Sequence, residues 1–256
     1  MSERRRGTHW PTLQLQRELT ASSATAVPLE RIPGDWSIPD AGLDSIRVTV
    51  PFSGTVSAAE LPDAIRALTH SRRADLAGVA WTYLALAPQG WGAVVVPESF
   101  RSEATQGHLH LRRLLTEEGR VHGIVRLASG AYKPRSNAAV VVLGPPDMGP
   151  VWFCEVVDPA EMPQHGTEDA TVSPAGMRWR DRHLADADRP RTGPSFFVPR
   201  NEIAAANFDW SIERHRSAES TPSIPLRPPH EILAELAGLE AEIFQGIREL
   251  VGVMKR

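Results

Sequence analysis

An open α/β sheet is the fold class the sequence predicts for the larger part of this chain. Short runs dominated by β-branched residues alternate with segments of helical periodicity, the order expected of strands joined by helical crossovers. These short β-branched runs are of the kind found in strands covered on both faces of the sheet. A chain of 256 residues is long enough to bury such a core.

Residues 1–30 form a variable N-terminal segment, Arg-rich and then Ser/Thr/Ala-rich, with a short helix predicted at "TLQLQREL". From residue 31 the strand-like runs begin: "SIRVTV" (45–50), "WGAVVVP" (91–97), "VHGIVRL" (121–127) and "NAAVVVLG" (137–144). Between them, "LPDAIRALTH" (61–70), "RADLAGVAWTYLALA" (73–87) and "EATQGHLHLRRLLTEEG" (103–119) read as helices. Leu76, Val79, Ala80, Tyr83, Leu84 and Leu86 supply an apolar stripe to the second of these. The stretch "APQGWG" reads as a glycine helix cap that feeds the next strand. "VWFCEVV" (151–157) closes the α/β part, whose span is 31–157.

Residues 158–199 are rich in Pro, Asp, Arg and Gly and predict an irregular excursion, after which "PRNEIAAANFDWSIERHR" regains a short helix. Together they make an irregular extension over 158–219. "STPSIPLRPP" is a proline linker, and it opens a final segment, 220–256. There Ile232, Leu236, Leu239, Ile243, Ile247, Leu250 and Met254 recur at steps of three and four, which predicts a long amphipathic helix with a heptad-like seam. Such a seam behind a linker is available to another chain, or to its own domain.

Composition excludes several function classes. Lys plus Arg is 28 against Asp plus Glu at 31, a formal charge of −3, so no global basic field holds a nucleic acid and any DNA contact must be local. The single cysteine, Cys154, excludes an internal disulfide and a multi-cysteine zinc site, and its apolar strand setting reads as a buried thiol. The basic N-terminus lacks the apolar stretch of a signal peptide, and no window approaches the roughly 18 apolar residues of a membrane span, so a cytoplasmic protein is expected. His108 and His110 lie about 200° apart on a helix with no carboxylate or thiol spacing to complete a metal set, so they read as solvated or capping and no metal site is expected. "ERRR" and "LHLRRLL" read as solvated faces that touch phosphate less readily than water.

Several stretches, taken in order, resemble one family. "AWTYLALAPQGWGAVVVPESF", "LRRLLTEEGRVHGIVRLASGAYKPRSNAAVVVL", "WFCEVV", "VPRNEIAAANFDWSIERHR" and "PPHEILAELAGLEAEI" together look like the N6-adenine DNA methyltransferase (modification) subunits of type I restriction-modification systems. The resemblance implies a partial Rossmann-like methyltransferase sheet, with S-adenosylmethionine and a target adenine meeting at the carboxyl ends of the strands. It also implies docking through residues 230–256 on a specificity subunit or a second methyltransferase-like chain, and contact with DNA.

Residue roles follow from the same resemblance. The family's catalytic loop, Asn-Pro-Pro-aromatic, corresponds to Thr49, Val50, Pro51 and Phe52. In that loop an amide side chain and a backbone carbonyl accept from the amine of a flipped adenine, and the aromatic stacks on the base. Pro51 and Phe52 match, while Thr49 and Val50 depart; Phe52 reads equally as a core aromatic at a strand end. Gly34-Asp35-Trp36 resembles the element whose carboxylate faces the cofactor's adenine, which makes Asp35 either a cofactor contact or a loop residue. Lys133 and Arg135, flanking Pro134 in "KPRSN", correspond to a turn near the DNA-facing cleft and are candidate phosphate contacts. The Gly-rich cofactor turn and the family's N-terminal helical domain are not found. The expectation is therefore a truncated, degenerate methyltransferase-like subunit that acts as a partner in a DNA modification or defence complex. An active half-enzyme completed by another chain, and a methyltransferase-like binding scaffold, remain alternatives.

Overall fold

The computed structural model describes residues 32–129, 137–157 and 191–217, together with Leu15, Gln16, Leu19, Gly176, Arg178 and Trp179. The chain divides into two compact units, Met1–Ser217 and Ala218–Arg256. The predicted C-terminal helix and its seam belong to the second, which lies outside the described residues.

Six strands form one mixed sheet: β1 (Leu43–Thr49), β2 (Leu86–Pro97), β3 (Val121–Arg126), β4 (Ala138–Leu143), β5 (Val151–Glu155) and β6 (Ser195–Val198). Their spatial order is β1-β2-β4-β3-β5-β6. β1 and β2 are parallel, as are β3 and β5, whereas β4 runs antiparallel to both of its neighbours and β6 antiparallel to β5. Helices α1 (Asp63–Thr69) and α2 (Ala74–Ala85) connect β1 to β2, and α3 (Gln106–Glu117) connects β2 to β3. Helices α4 (Arg200–Ala205) and α5 (Ile212–His215) follow β6.

The apolar runs bury both faces, as their composition predicts. On β4, Ala139, Val141 and Leu143 join the core under the helices, and Ala138, Val140 and Val142 join a second core on the other face. Ile65, Leu76, Leu111, Leu115, Ile203, Trp210 and Ile212 cover the first face. Leu15, Leu19 and Trp179 contribute to the second, with Phe52 and Trp91 packed against it. Leu15, Gln16 and Leu19 are helical, within the short helix expected there, and Gln16 Nε2 donates to Val48 O (2.9 Å) and Ala93 O (2.8 Å).

The structure departs from expectation at four places. Helix α2 is buried nearly all round, Trp81 and Ala77 included, so it is a core helix and not a striped surface one. It ends at Ala85 with an extended Leu86, so Gly90 is not its cap. Gly90 lies where β2 bulges against β1, and a side chain there would begin 2.4 Å from Leu43 O. Strand β6 falls within a stretch expected to carry little regular structure. Finally, Arg112 and His108, which read as surface residues, are buried.

Arginine explains how the chain after β6 is held. Arg200 donates to Gly149 O (2.8 Å), Thr116 O (3.1 Å) and Val121 O (2.7 Å), beside the amino ends of β5 and β3. Arg112 donates to Phe208 O and Phe100 O, both at 2.7 Å, and burial pushes its guanidinium down to about 10. Higher up, Arg126 bonds Glu155 (2.8 Å) and Glu213 (2.6 Å), and Arg216 bonds Glu155 (2.7 Å). The segment thus climbs the helical face from the amino ends of the strands to their carboxyl ends.

Candidate functional site

In open α/β sheets the carboxyl ends of the strands are where ligands bind. Residues 49–52 stand at that end of β1. Thr49 pairs with Val95 and is half-buried, and Val50 N donates to Val95 O at 3.0 Å, which prolongs the pairing by one residue. Val50 itself is a core residue, 1% exposed. It fits because residue 78 on α2 is glycine: a methyl group there would sit 2.4 Å from Val50 Cγ1 and 3.2 Å from Ile32 Cδ1. Pro51 is exposed, and Phe52 is half-buried against the second core.

Beyond Phe52 the loop turns at Gly54 (φ +99°) and fastens to the start of α2. Ala74 N donates to Gly54 O at 3.1 Å, Val56 N donates to Arg72 O at 2.8 Å, and Thr55 bridges Arg73. Arg73 holds Asp75 through two bonds (3.1 and 2.8 Å) and reaches Glu103 at 2.7 Å. Behind this pair lies His108, fully buried, 3.4 Å from Asp75 and sharing a 2.6 Å hydrogen bond with Thr105. Burial favours the neutral Asp75 carboxyl, but the His108 and Arg73 bonds and the Arg73 charge outweigh it and hold Asp75 well below the usual carboxylate range.

Asp35 lies on an exposed turn three residues after Ile32, so its segment and Val50 meet the same turn of α2. Asp35 Oδ1 accepts from Ser37 N (3.2 Å) and Ser37 Oγ (3.0 Å), and these bonds lower its carboxyl. Lys133 and Arg135 lie outside the described residues. The predicted catalytic loop and the segment of Asp35 are therefore near neighbours, and their meeting point, Gly78, is a position that sequence reading did not single out. A lone glycine among Leu76, Val79 and Ala80 was the available signal.

Among the described residues Asp35 is the carboxylate that the resemblance assigns to S-adenosylmethionine, and its Oδ1 accepts from Ser37. Neither Gly34 nor Gly54 has an atom within 4 Å of where a side chain would begin, so neither forms a close-walled cradle.

The mixed α/β sheet with buried strands is a methyltransferase-like fold, shared with a solved methyltransferase subunit. The sequence model of the N-6 DNA methylase family matches residues 33–223, and the chain belongs to that family. It is 28% identical over 179 residues to the type I restriction enzyme EcoEI methylase subunit of Escherichia coli, covering 65% of this chain and 35% of that one. The type I restriction-modification methyltransferase subunit from Streptococcus thermophilus superposes with a TM-score of 0.56 at 17% identity, over 72% of this chain and 40% of the other. A structure from work on the assembly and conformational transition of a type I system superposes with a TM-score of 0.52 at 20% identity, over 84% and 46%. The chain thus spans less than half the length of these relatives. Among the described residues no helix is long and apolar enough to cross a membrane.

Proposed function

We propose that this chain is a type I modification-subunit-like component of a DNA modification or defence complex, with a degenerate adenine-methylation loop. The observation that carries this reading is the state of residues 49–52. Thr49 offers a short hydroxyl where the family's chemistry uses an amide carbonyl. Val50 replaces a rigid ring with a side chain anchored in the core against Gly78. Methyl transfer depends on placement, and a displacement of about 1 Å costs on the order of a hundredfold in rate. Pro51 and Phe52 keep the site's outline without its acceptor.

Transfer of labelled methyl groups from S-adenosylmethionine to duplex DNA tests the reading, with the chain alone and with the products of neighbouring reading frames. The expected result is no transfer by the wild type and no tight binding of the cofactor by the chain alone. Robust methylation by the unaltered chain overturns the degeneracy. Partner docking through residues 230–256 is part of the same proposal, and their deletion is expected to abolish co-purification with a specificity subunit.

One observation favours a second reading, an active half-enzyme. Among the described residues β1 stands at the edge of the sheet, where a strand from another chain can be added. Methylation that appears only on mixing, and rises with Thr49→Asn, would decide for it.

A further inference from the structure

Helix α3 and the turn after α4 border an open cleft of about 410 Å³. It is lined by Ala104, Gln106, Leu109, His110, Arg113, Asn207 and Phe208. No carboxylate is among these residues, in a chain whose net charge is −3, and Arg113 Nε donates to Glu117 beside the cleft at 2.9 Å, which leaves its terminal nitrogens for a ligand.

The turn that builds one wall is unusual. Asn207 N donates to Ala204 O (3.0 Å) and Phe208 N to Ile203 O (2.8 Å), a helix-capping arrangement that accounts for the left-handed Asn207, φ +57°. It does not require Phe208 to be left-handed as well, yet Phe208 has φ +54°. The conformation is imposed from outside: Arg112 Nε donates to Phe208 O, Trp210 N donates to Arg101 O at 2.8 Å, and Ser211 N donates to Asp209 Oδ1 at 2.7 Å. Its result is a half-exposed aromatic ring on the cleft, with the Arg113 guanidinium carbon 5.9 Å from the ring centroid. Strain held in place by buried groups is characteristic of sites that present a side chain to a ligand.

Position adds a second argument. Ala104 directly follows Glu103, whose carboxylate is bonded to Arg73, and Arg73 is bridged to Thr55 of the candidate loop. The segment that opens the cleft is thus tied through Glu103 and Arg73 to Thr55, in the loop that follows residues 49–52. We propose that the cleft takes an unstacked nucleotide of DNA, its base against Phe208, its edge at the Asn207 and Gln106 amides, and its phosphate at Arg113. An aromatic face with an adjacent guanidinium is the chemistry by which unpaired bases are held without strong sequence preference. The inference rests on the reading of the chain as a DNA-acting subunit.

The test is binding of the full chain to fluorescent DNA: a single strand, a duplex with one bulged 2-aminopurine, and the fully paired duplex. Phe208→Leu, which keeps an apolar side chain, is expected to weaken the first two by about tenfold and abolish the 2-aminopurine response, with the paired duplex within about twofold. Gln106→Trp, at an exposed position, fills the cleft and should do the same even if Phe208→Leu fails to fold. Arg113→Gln should lower the slope of log affinity against log salt by about 1. Unchanged single-strand and bulge binding in Gln106→Trp and Phe208→Leu overturns the inference alone. A wild type that binds none of the three DNAs overturns the DNA reading and this inference with it. Competition by an aromatic peptide in place of DNA would assign the cleft to a protein partner and equally overturn it.

Discussion

Val50 and Arg200 are both buried where connecting segments meet the sheet, yet they are held by opposite physics. Val50 has no polar side-chain atom to satisfy; its position is set by shape, a β-branched side chain against a glycine notch. Arg200 is buried with a charge, and its position is set by three carbonyl oxygens at the ends of β3, α3 and the loop before β5. Shape complementarity tolerates adjustment of a few tenths of an ångström, while a buried guanidinium without its acceptors does not. The difference teaches where the molecule can change: the loop after β1 is seated by shape and tolerates other side chains of similar form, while the climb from β6 to α5 is fixed by its arginines.

The largest effect expected from that contrast is at Arg200. Arg200→Met keeps much of the apolar volume but leaves three buried carbonyls without this donor, so a loss of about 3–5 kcal/mol in urea unfolding is expected. A loss below about 1 kcal/mol would mean that the segment is held by its apolar contacts, Ile203 and Trp210, and would break the comparison.

Next comes Asp75, which anchors the loop side through Arg73. Its carboxyl is lowered in the folded protein relative to an ordinary value of 3.8. Its stabilisation is therefore fully present above that value and is lost as pH falls below it toward the folded pKa. Asp75→Asn should cost about 2 kcal/mol at pH 7, with the gap to wild type closing progressively as pH falls below about 4 toward the folded pKa. A gap independent of pH would show that the carboxylate charge is not what Arg73 and His108 stabilise.

At Gly78 the expected effect is smaller and its sign is diagnostic. Gly78→Ala overpacks Val50 by about 1–3 kcal/mol, and Val50→Ala should recover at least about 1 kcal/mol of that in the double variant. Strict additivity in this cycle would mean that the notch does not seat the loop.

The same contrast explains what could be read from the sequence. β1 through β5 were legible because β-branched runs have one compact solution in a two-faced sheet, and observed ends differ from the expected ones by a few residues. β6 was not, because "SFFV" is four residues bounded by Pro194 and Pro199, too short for period to show. Arg112 and Arg200 were illegible for a different reason: a guanidinium reads as a surface group until the carbonyls that receive it are placed in space, and those carbonyls lie 12 to 96 residues away in the chain. The candidate loop was located by resemblance, but the burial of Val50 depended on Gly78, a contact no local pattern encodes. The left-handed Phe208 was equally hidden, since its cause is the bond from Arg112.

The smallest effect expected is at Arg113, and its smallness is informative. Arg113 adjoins Arg112 on α3, but its side chain is 62% exposed and its ion pair with Glu117 is a surface pair one helical turn away. Such pairs contribute about 0.3–0.5 kcal/mol and the exposed contact with the Phe208 ring about as much again, so Arg113→Gln should leave thermal unfolding within about 1 kcal/mol of wild type. Arg112→Met, one residue away, should lose several times more because Phe208 O and Phe100 O are left without their donor. If the two variants were equally stable, burial would not distinguish these neighbours, and the account of the turn as imposed by Arg112 would fail. If they differ as expected, any change in DNA binding by Arg113→Gln reports on the cleft and not on the fold, which separates presenting Phe208 from contacting what it presents to.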